Sequence, residues 1–286
     1  PGGSPIAEAQ LEAEATLVPE RTPAGRVSAL WAVSSGGTVW RLGPGLEPLP
    51  PFPIATGITS AMPPALIDGR LALFAKADST LVFIDSEGTR SQLRQQLEAP
   101  LFLPPDAVGG RLVFYPKSFD ARIHLTDLQG TEAPGWPVQS SGISFCAPRF
   151  IQAGGSTLVT FLTQAGLLHA WDLSGNQVTW FPVALPGVFY ATPEPTIVAG
   201  RPFLIALAQD GSLSLIGMDG KLARQASVPD LDGKSARIFV GDIDGGGEEI
   251  LLYGSGAFIA GYDASFRPLS GFPLKGVTRP QLVDLD

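Results

Sequence analysis

The chain has 286 residues, a formal net charge of −8 at pH 7 and a pI near 4.8. Such an acidic chain lacks the basic patches that neutralise phosphates, so we expect no nucleic-acid partner and no binding to anionic lipid surfaces. No apolar run approaches the roughly 20 residues of a membrane-spanning helix, so we expect no direct membrane insertion. The 34 glycines and 27 prolines indicate a fold with many tight turns.

One short phrase recurs six times at intervals of 42 to 46 residues: an apolar run that ends in a polar pair and a glycine. The copies are Thr38–Gly45, Leu81–Gly88, Ile123–Gly130, Leu167–Gly175, Leu213–Gly220 and Phe258–Phe266, with Phe266 in the glycine place. Strand-like runs at this spacing are typical of the four-stranded blades of a β-propeller. We therefore predict an all-β, six-bladed β-propeller with four antiparallel strands in each blade.

The segment before the repeats, residues 1–23, is predicted to be an N-terminal leader or linker, and residues 24–286 the propeller domain. Its Ala/Glu/Pro composition would suit a tether to a membrane or to another domain. The first repeat block, Gly25–Ile54, contains a second, a third and a fourth strand but no convincing first strand.

Three further marks recur inside the blades. Proline followed by an apolar triplet opens the first strand, where the missing N–H breaks no ladder bond, at Pro64, Pro148, Pro195 and Pro280. A Gly-Arg turn often leads into a second strand, whose continuous apolar run predicts burial on both faces. An aromatic residue followed by proline marks the fourth strand at Phe52-Pro53, Trp136-Pro137, Phe181-Pro182 and Phe272-Pro273. Blades two and five lack this pair.

The last block, Arg279–Asp286, contains only a first strand and therefore complements the first block. We predict that Pro280–Val283 pairs beside the sheet that contains Val27–Val33, so that the C-terminal strand completes the N-terminal blade and closes the ring. An alternative uses Leu17-Val18-Pro19 as the missing strand, in which case the chain is a truncated seven-bladed propeller. Against it, Glu20-Arg21-Thr22 follow where the other blades carry apolar residues.

A glycine-rich acidic turn, Gly241-Asp-Ile-Asp-Gly-Gly-Gly-Glu-Glu-Ile-Leu-Leu252, stands in blade six, with Gly271-Phe-Pro-Leu274 after it. These segments resemble FG-GAP/VCBS-type repeats, and Leu168-His-Ala-Trp-Asp172 resembles blades of the quinoprotein-like propellers. The resemblance implies Ca²⁺ at the acidic turn, and a role in adhesion, ligand binding or assembly.

Asp242 and Asp244 match the first two carboxylate places of that turn and are the candidate metal ligands. The third place holds Gly246, which offers no side chain, whereas Ca²⁺ needs six to eight oxygens. The alternative is that both aspartates only shape the turn, as Asx residues commonly do. We accordingly predict no obligatory cofactor, with Ca²⁺ as the one candidate.

No catalytic motif stands out. His124 and His169 occupy the same place in two neighbouring third strands, which favours a structural role over a metal- or ligand-binding pair. The one cysteine, Cys146, lies between apolar residues and is expected to be buried. The five tryptophans are expected to pack mainly between blades, with a minority standing on a surface to stack on sugars or peptides: Trp31, Trp40, Trp136, Trp171 and Trp180.

The function predicted from these features is a non-catalytic binding or scaffolding module that presents its loop faces to a protein or glycan partner. The alternatives are a carbohydrate-active hydrolase or lyase that uses the channel mouth, and a Ca²⁺-dependent adhesion or lectin module. The family resemblance and the low lysine content favour an extracytoplasmic location, in the periplasm or at a bacterial cell surface.

Overall fold

The fold was determined as a computed structural model that describes residues 11, 14–21, 27–60, 62–75, 80–93, 101, 103–116, 120–243, 247–256, 258–276 and 280. These residues form six antiparallel sheets of four strands each, and the sheets are arranged in a ring as a six-bladed β-propeller. Each sheet follows chain order from its first strand to its fourth. The predicted fold class is thus confirmed. Within the described part of the chain, no helix is long and apolar enough to span a membrane.

The strands are numbered in chain order, and blade 1 contains β1–β4, blade 2 β5–β8, and so on to blade 6. The first strands are β1 (Ala15–Arg21), β5 (Ala65–Ile67), β9 (Asp106–Val108), β13 (Arg149–Ala153), β17 (Glu194–Val198) and β21 (Arg237–Asp242). The second strands are β2 (Val27–Ser34), β6 (Arg70–Phe74), β10 (Arg111–Phe114), β14 (Ser156–Leu162), β18 (Arg201–Leu207) and β22 (Glu248–Tyr253). The third strands are β3 (Thr38–Leu42), β7 (Leu81–Ile84), β11 (Arg122–Asp127), β15 (Leu167–Asp172), β19 (Ser212–Gly217) and β23 (Phe258–Tyr262). The fourth strands are β4 (Ile54–Ala55), β8 (Arg90–Leu93), β12 (Val138–Gln139), β16 (Val183–Ala184), β20 (Leu222–Ser227) and β24 (Leu274–Lys275).

The core consists of apolar layers between consecutive blades. Successive residues of a strand point to opposite faces of its sheet, so a continuous apolar run places side chains on both faces. Leu71 and Leu73 of β6 pack with Trp31 towards blade 1, whereas Phe74 packs with Phe114 towards blade 3. The prediction that the second strands are buried on both faces is therefore confirmed for β6.

The first blade is built entirely from the N-terminal part of the chain. Ala15–Arg21 pairs along Val27–Ser34, with Ala15 opposite Ser34 and Glu20 opposite Ala29. The prediction that Pro280–Val283 supplies this strand is therefore wrong, and Ala15–Arg21 belongs to the sheet rather than to the predicted leader of residues 1–23. The alternative that placed Leu17-Val18-Pro19 here had the correct strand. Apart from Pro280, the C-terminal segment lies outside the described residues.

Hydrogen bonds from the neighbouring strands stabilise the polar residue Glu20 in this strand. Its Oε2 accepts hydrogen bonds from Trp31 Nε1 at 2.8 Å and from Arg41 Nε at 3.0 Å, and its Oε1 accepts one from Arg41 Nη2 at 3.0 Å. Burial by itself would raise the pKa of Glu20, but the Arg41 and Trp31 hydrogen bonds outweigh it and the pKa lies below its usual value. The Arg41 guanidinium also stacks over the Trp31 ring. Glu20, which argues against a strand in the sequence, therefore joins β1 to β2 and β3.

The turn after the third strand of blade 4 makes a direct backbone contact with blade 3. Gly175 of blade 4 lies against Gly135 of blade 3, and a methyl group built on Gly175 would come within 2.2 Å of the Gly135 carbonyl oxygen. Gly175 also has a φ of +79°, which residues with a Cβ rarely adopt. The glycine of the repeated phrase therefore has a packing role as well as a conformational one.

We expect Gly175→Ala to destabilise the fold by about 2 kcal/mol more than Gly200→Ala, because overpacking adds to backbone strain at Gly175 alone. Gly200 is the matched control, since its φ is +74° and nothing lies within 4 Å of a methyl group built there. Urea unfolding of both variants and the wild type measures the difference. Equal losses of stability would show that the contact between blades 3 and 4 has no energetic weight.

Candidate functional site

The acidic turn predicted to bind a metal is only partly described. Asp242 is the last residue of β21, where it is exposed and pairs across the ladder with Glu248, while Asp244 lies outside the described residues. Among the residues that the structure describes, no group of three or more His, Cys, Asp or Glu side chains is placed to hold a metal ion. The Ca²⁺ site at Asp242 and Asp244 therefore stays a prediction.

The two glutamates that follow the turn already serve as hydrogen-bond acceptors. Glu249 Oε2 accepts the Ile243 N–H at 2.8 Å. Glu248 Oε2 accepts the Thr196 hydroxyl at 2.8 Å and the Ile197 N–H at 2.7 Å, both from β17 of blade 5. These contacts give both carboxylates a structural role, since Glu249 holds the chain after β21 and Glu248 joins blade 6 to blade 5.

His124 and His169 are each held by groups of their own surroundings. His124 stacks on Phe114, and its Nδ1 lies 3.0 Å from Glu132 Oε2. His169 is buried and stacked on Trp171, and its Nε2 lies 2.9 Å from Ser141 Oγ.

The partners of the two histidines also repeat from blade to blade. The residue eight places after each histidine faces its Nδ1: Glu132 in blade 3, and in blade 4 Gln177, whose Nε2 is 3.4 Å away. This repetition supports the structural role predicted for the pair. The predicted burial of Cys146 is confirmed, and burial raises the pKa of its thiol to about 12.

A cleft of about 530 Å³ opens between blades 1 and 2, beside the start of β1 and the connection that leads to β5. Its lining includes Glu14, Ser34, Ser60, Met62 and Pro63. Glu14 is the one titratable side chain among the described residues that line it, so the cleft shows no pair of groups for acid–base chemistry.

Trp180 differs from the other four tryptophans. They are between 0% and 7% exposed, as expected for packing between blades: Trp31, Trp40, Trp136 and Trp171. Trp180 is 74% exposed. Large aromatic side chains are normally among the residues that a fold buries, so this one contributes little to the core.

The backbone of Trp180 is also in an unfavourable conformation. It is the third residue of a turn closed by a hydrogen bond from the Phe181 N–H to the Val178 carbonyl, and its φ is +76°. The corresponding turns of blades 3 and 6 carry Gly135 and Gly271 at this place, with φ of +81° and +84°. Such a turn needs positive φ at its third residue and is normally served by glycine. A bulky residue here strains the backbone without burying its side chain.

The turn that leads into β20, the fourth strand of blade 5, lies against Trp180. A methyl group built on Gly220, two residues before Leu222, would lie 2.9 Å from Trp180 Cβ. Leu222 is 45% exposed and pairs with Ile216, which packs in the layer between blades 4 and 5. Because cross-strand partners share a face, Leu222 is on the side of blade 5 that faces Trp180. Trp180, Leu222 and the outer edge of β20 are called the rim surface below.

The rim surface is not among the sites predicted from the sequence, although both of its signals are in the sequence. Aligning the aromatic-Pro pairs shows Trp180 where blades 3 and 6 have glycine. The absence of that pair from blade 5 marks β20. The sequence could not show that Trp180 is exposed, because tryptophans are expected to pack mainly between blades, as the other four do.

Comparisons with known proteins identify the fold and no family. No family model matches the chain, and no curated protein matches it. The FG-GAP/VCBS repeat type accordingly stays a prediction.

Three of the solved structures that match are propellers with 11% to 14% sequence identity to this chain. BamB from Moraxella catarrhalis matches with a TM-score of 0.61 and 14% identity, over 94% of this chain and 77% of that one. A streptogramin B lyase matches with a TM-score of 0.58 and 12% identity, over 93% and 83% of the two chains. BBS1N, solved in complex with ARL6DN, matches with a TM-score of 0.56 and 11% identity, over 83% and 73%. At these identities the likeness shows the fold alone.

We expect His169 to make the stability of the protein depend on pH near neutrality. Burial disfavours the charged imidazolium and lowers the pKa of His169 in the folded state. The neutral ring therefore stabilises the fold fully above the unfolded pKa of about 6.5, and this contribution is lost as the pH falls below it. Urea unfolding at about pH 7.5 and pH 5.5 should show a smaller loss of stability for His169→Gln than for the wild type. Equal losses would contradict the expectation.

We expect Trp180→Gly to leave the free energy of unfolding unchanged or to raise it by about 1 kcal/mol. Removing a bulky residue from positive φ relieves about 1–3 kcal/mol of strain, offset by the greater chain entropy that glycine gives the unfolded state. Its control is Trp136→Ala in the corresponding turn of blade 3, because Trp136 is buried and its Nε1 donates to the Leu173 carbonyl at 3.1 Å. That variant should lose about 3–5 kcal/mol. A comparable loss for Trp180→Gly in thermal or urea unfolding would show that Trp180 is a packing residue.

Proposed function

We propose that this propeller is a non-catalytic binding module whose partner is a protein, and that it contacts this partner through the rim surface. The observation that carries the proposal is Trp180, an exposed aromatic side chain held at positive φ where two other blades use glycine. Backbone strain that persists without a packing benefit is characteristic of residues with a functional task.

The chemistry of the rim surface favours a protein over a small molecule. Tryptophan is among the residues that most often dominate the binding energy at protein interfaces, because one rigid side chain supplies a large contact area. Leu222 adds a second exposed apolar side chain beside it. The surface lies on the outer rim and not in a cavity, so it offers contact area rather than an enclosure for a substrate.

The structural neighbours are compatible with this proposal and do not decide it. BBS1N was solved in complex with ARL6DN, whereas another neighbour is named a lyase, so propellers with this arrangement include a binding protein and an enzyme. The preference for binding depends on the rim surface itself.

An extracytoplasmic location, favoured by the low lysine content, belongs to the same proposal, and fractionation of the producing cells tests it.

Site-specific photo-crosslinking in the cells that produce the protein tests the proposal. A photoreactive residue at position 222 should give an adduct with one protein, identified by mass spectrometry, and Trp180→Gly in the same chain should reduce its yield by about tenfold. Phe258 is the matched control position, since it is 50% exposed and lies in β23 of blade 6. Replacing it with the photoreactive residue should give no such adduct. The proposal is wrong if no protein adduct forms at position 222, or if the adduct does not depend on Trp180.

A further inference from the structure

We propose that blade 5 accepts an extended segment of its partner as an added β-strand along the outer edge of β20. This inference rests on the proposed function, because the segment would lie beside Trp180 and Leu222. It adds the mode of recognition: backbone hydrogen bonds along an exposed sheet edge, with the apolar side chains of the rim surface as contacts for alternate side chains of the partner.

The outer strand of blade 5 is unlike those of the four blades that carry the aromatic-Pro pair. In each of those blades the proline directly precedes a fourth strand of only two residues: β4, β12, β16 and β24. Short edge strands and residues without an N–H are the usual protection against unwanted pairing at a sheet edge. Blade 5 has neither, and β20 runs for six residues from Leu222 to Ser227; its pairing with β19 is in regular register from Arg224 to Ser227, after a register shift at Leu222.

The register of β20 shows which backbone groups are available. The Val228 N–H donates to the Gly211 carbonyl at 3.0 Å, while Ser227 pairs with Ser212 and Gln225 with Ser214. In an antiparallel ladder, residues that bond to the neighbouring strand alternate with residues whose N–H and C=O point away from it. The N–H and C=O groups of Gln225 and Ser227 therefore point away from β19, towards the outer edge.

Blade 1 shows how a side chain can cover such an edge. In blade 1 the Ala55 carbonyl of β4 accepts a hydrogen bond from Arg90 Nη2 at 2.7 Å, and the next carbonyl, Thr56, accepts one from Arg90 Nη1 at 3.3 Å. Within the described part of the chain, no side chain covers Gln225 or Ser227 in this way. Blade 2 also lacks the aromatic-Pro pair, but its β8 has only four residues and no exposed tryptophan beside it.

The side chains around β20 define the chemistry of the segment that fits. On the side that faces blade 4, Trp180 and Leu222 favour apolar side chains of the partner. Arg224 places a positive charge on the strand of a protein with a net charge of −8, whereas Lys221, just before β20, is ion-paired with Asp219 at 3.6 Å. Arg224 donates to the Ser265 carbonyl at 2.8 Å and has no carboxylate partner among the described residues. The fitting partner is thus an extended peptide segment with apolar side chains at alternate positions and a carboxylate that meets Arg224.

A display library of random peptides of about 12 residues, long enough to form a strand of typical length, is the probe. It is panned on the wild-type protein in the presence of excess soluble Gln225→Pro variant. The outward-pointing N–H of Gln225 makes no bond to β19, so proline removes a group needed by an added strand and leaves the ladder intact. Ser227→Pro removes the second outward N–H by the same reasoning, and it replaces Gln225→Pro if circular dichroism shows that the first variant is unfolded.

Enriched peptides should combine alternating apolar residues with Asp or Glu, and should bind Gln225→Pro about tenfold or more weakly than the wild type. Gln225→Ala, which keeps the N–H, should stay within about twofold of the wild type because only the side chain changes. Hydrogen exchange should show protection of the Gln225 and Ser227 amides when peptide is bound. The inference is overturned if no peptide is enriched, if the enriched peptides bind Gln225→Pro as well as the wild type, or if these amides stay unprotected.

Two further outcomes separate the alternatives. If Trp180→Gly lowers the yield of the photo-crosslinked adduct while Gln225→Pro does not, the proposed function stands and strand addition is wrong. If the protein alone sediments as a dimer that Gln225→Pro dissociates, a second copy of the chain occupies β20 and the proposal of a separate partner segment is overturned.

Discussion

Blades 1 to 5 are each apolar on both faces, and this is the constraint on which the rest of the structure depends. A four-stranded sheet with one buried face can be covered by a single layer, whereas a sheet with two apolar faces needs a neighbour on each side. The strand β6 illustrates this, since Trp31 of blade 1 packs against one of its faces and Phe114 of blade 3 packs against the other. A ring of blades gives each sheet two neighbours without leaving an uncovered face, at roughly 25 cal/mol for each Å² of apolar surface removed from water.

Arranging the sheets in a ring covers their faces but not their outer edges. The outermost strand of each blade keeps backbone groups that point away from the sheet, and these groups must be protected from pairing with another chain. Four blades do so with a proline followed by a strand of two residues, and the edge of blade 1 is further covered by Arg90. Blade 5 keeps a long outer strand, and Trp180 of the preceding blade stands next to it. The departure from the repeat and the strained, exposed aromatic residue coincide at one place on the rim, and that coincidence is the basis of the proposed function.

The sequence predicted the architecture because the repeat constrains it at several independent points. Each of the six copies of the repeated phrase coincides with a third strand and the turn after it, and Pro64 and Pro148 directly precede first strands. The sequence failed at the N-terminal blade, where Glu20 argued against a strand. Its carboxylate is accepted there because Trp31 and Arg41, 11 and 21 residues away, supply its hydrogen bonds. Local polarity is a poor guide when the compensating group comes from another strand of the same sheet.

What the sequence alone determined is the blade period, the strand order within a blade and the fold class, because these depend on alternation of apolar residues and on turn chemistry, both of which are local. It also contained the two departures from the repeat, the missing aromatic-Pro pair of blade 5 and the tryptophan in a glycine place. Only the tertiary structure decided which segment completes the first blade, which of five tryptophans faces solvent, and that Trp180 lies beside β20. These are contacts between residues of different strands or different blades. The packing of one sheet against the next fixes them, and that packing has no signature in any single segment of the chain.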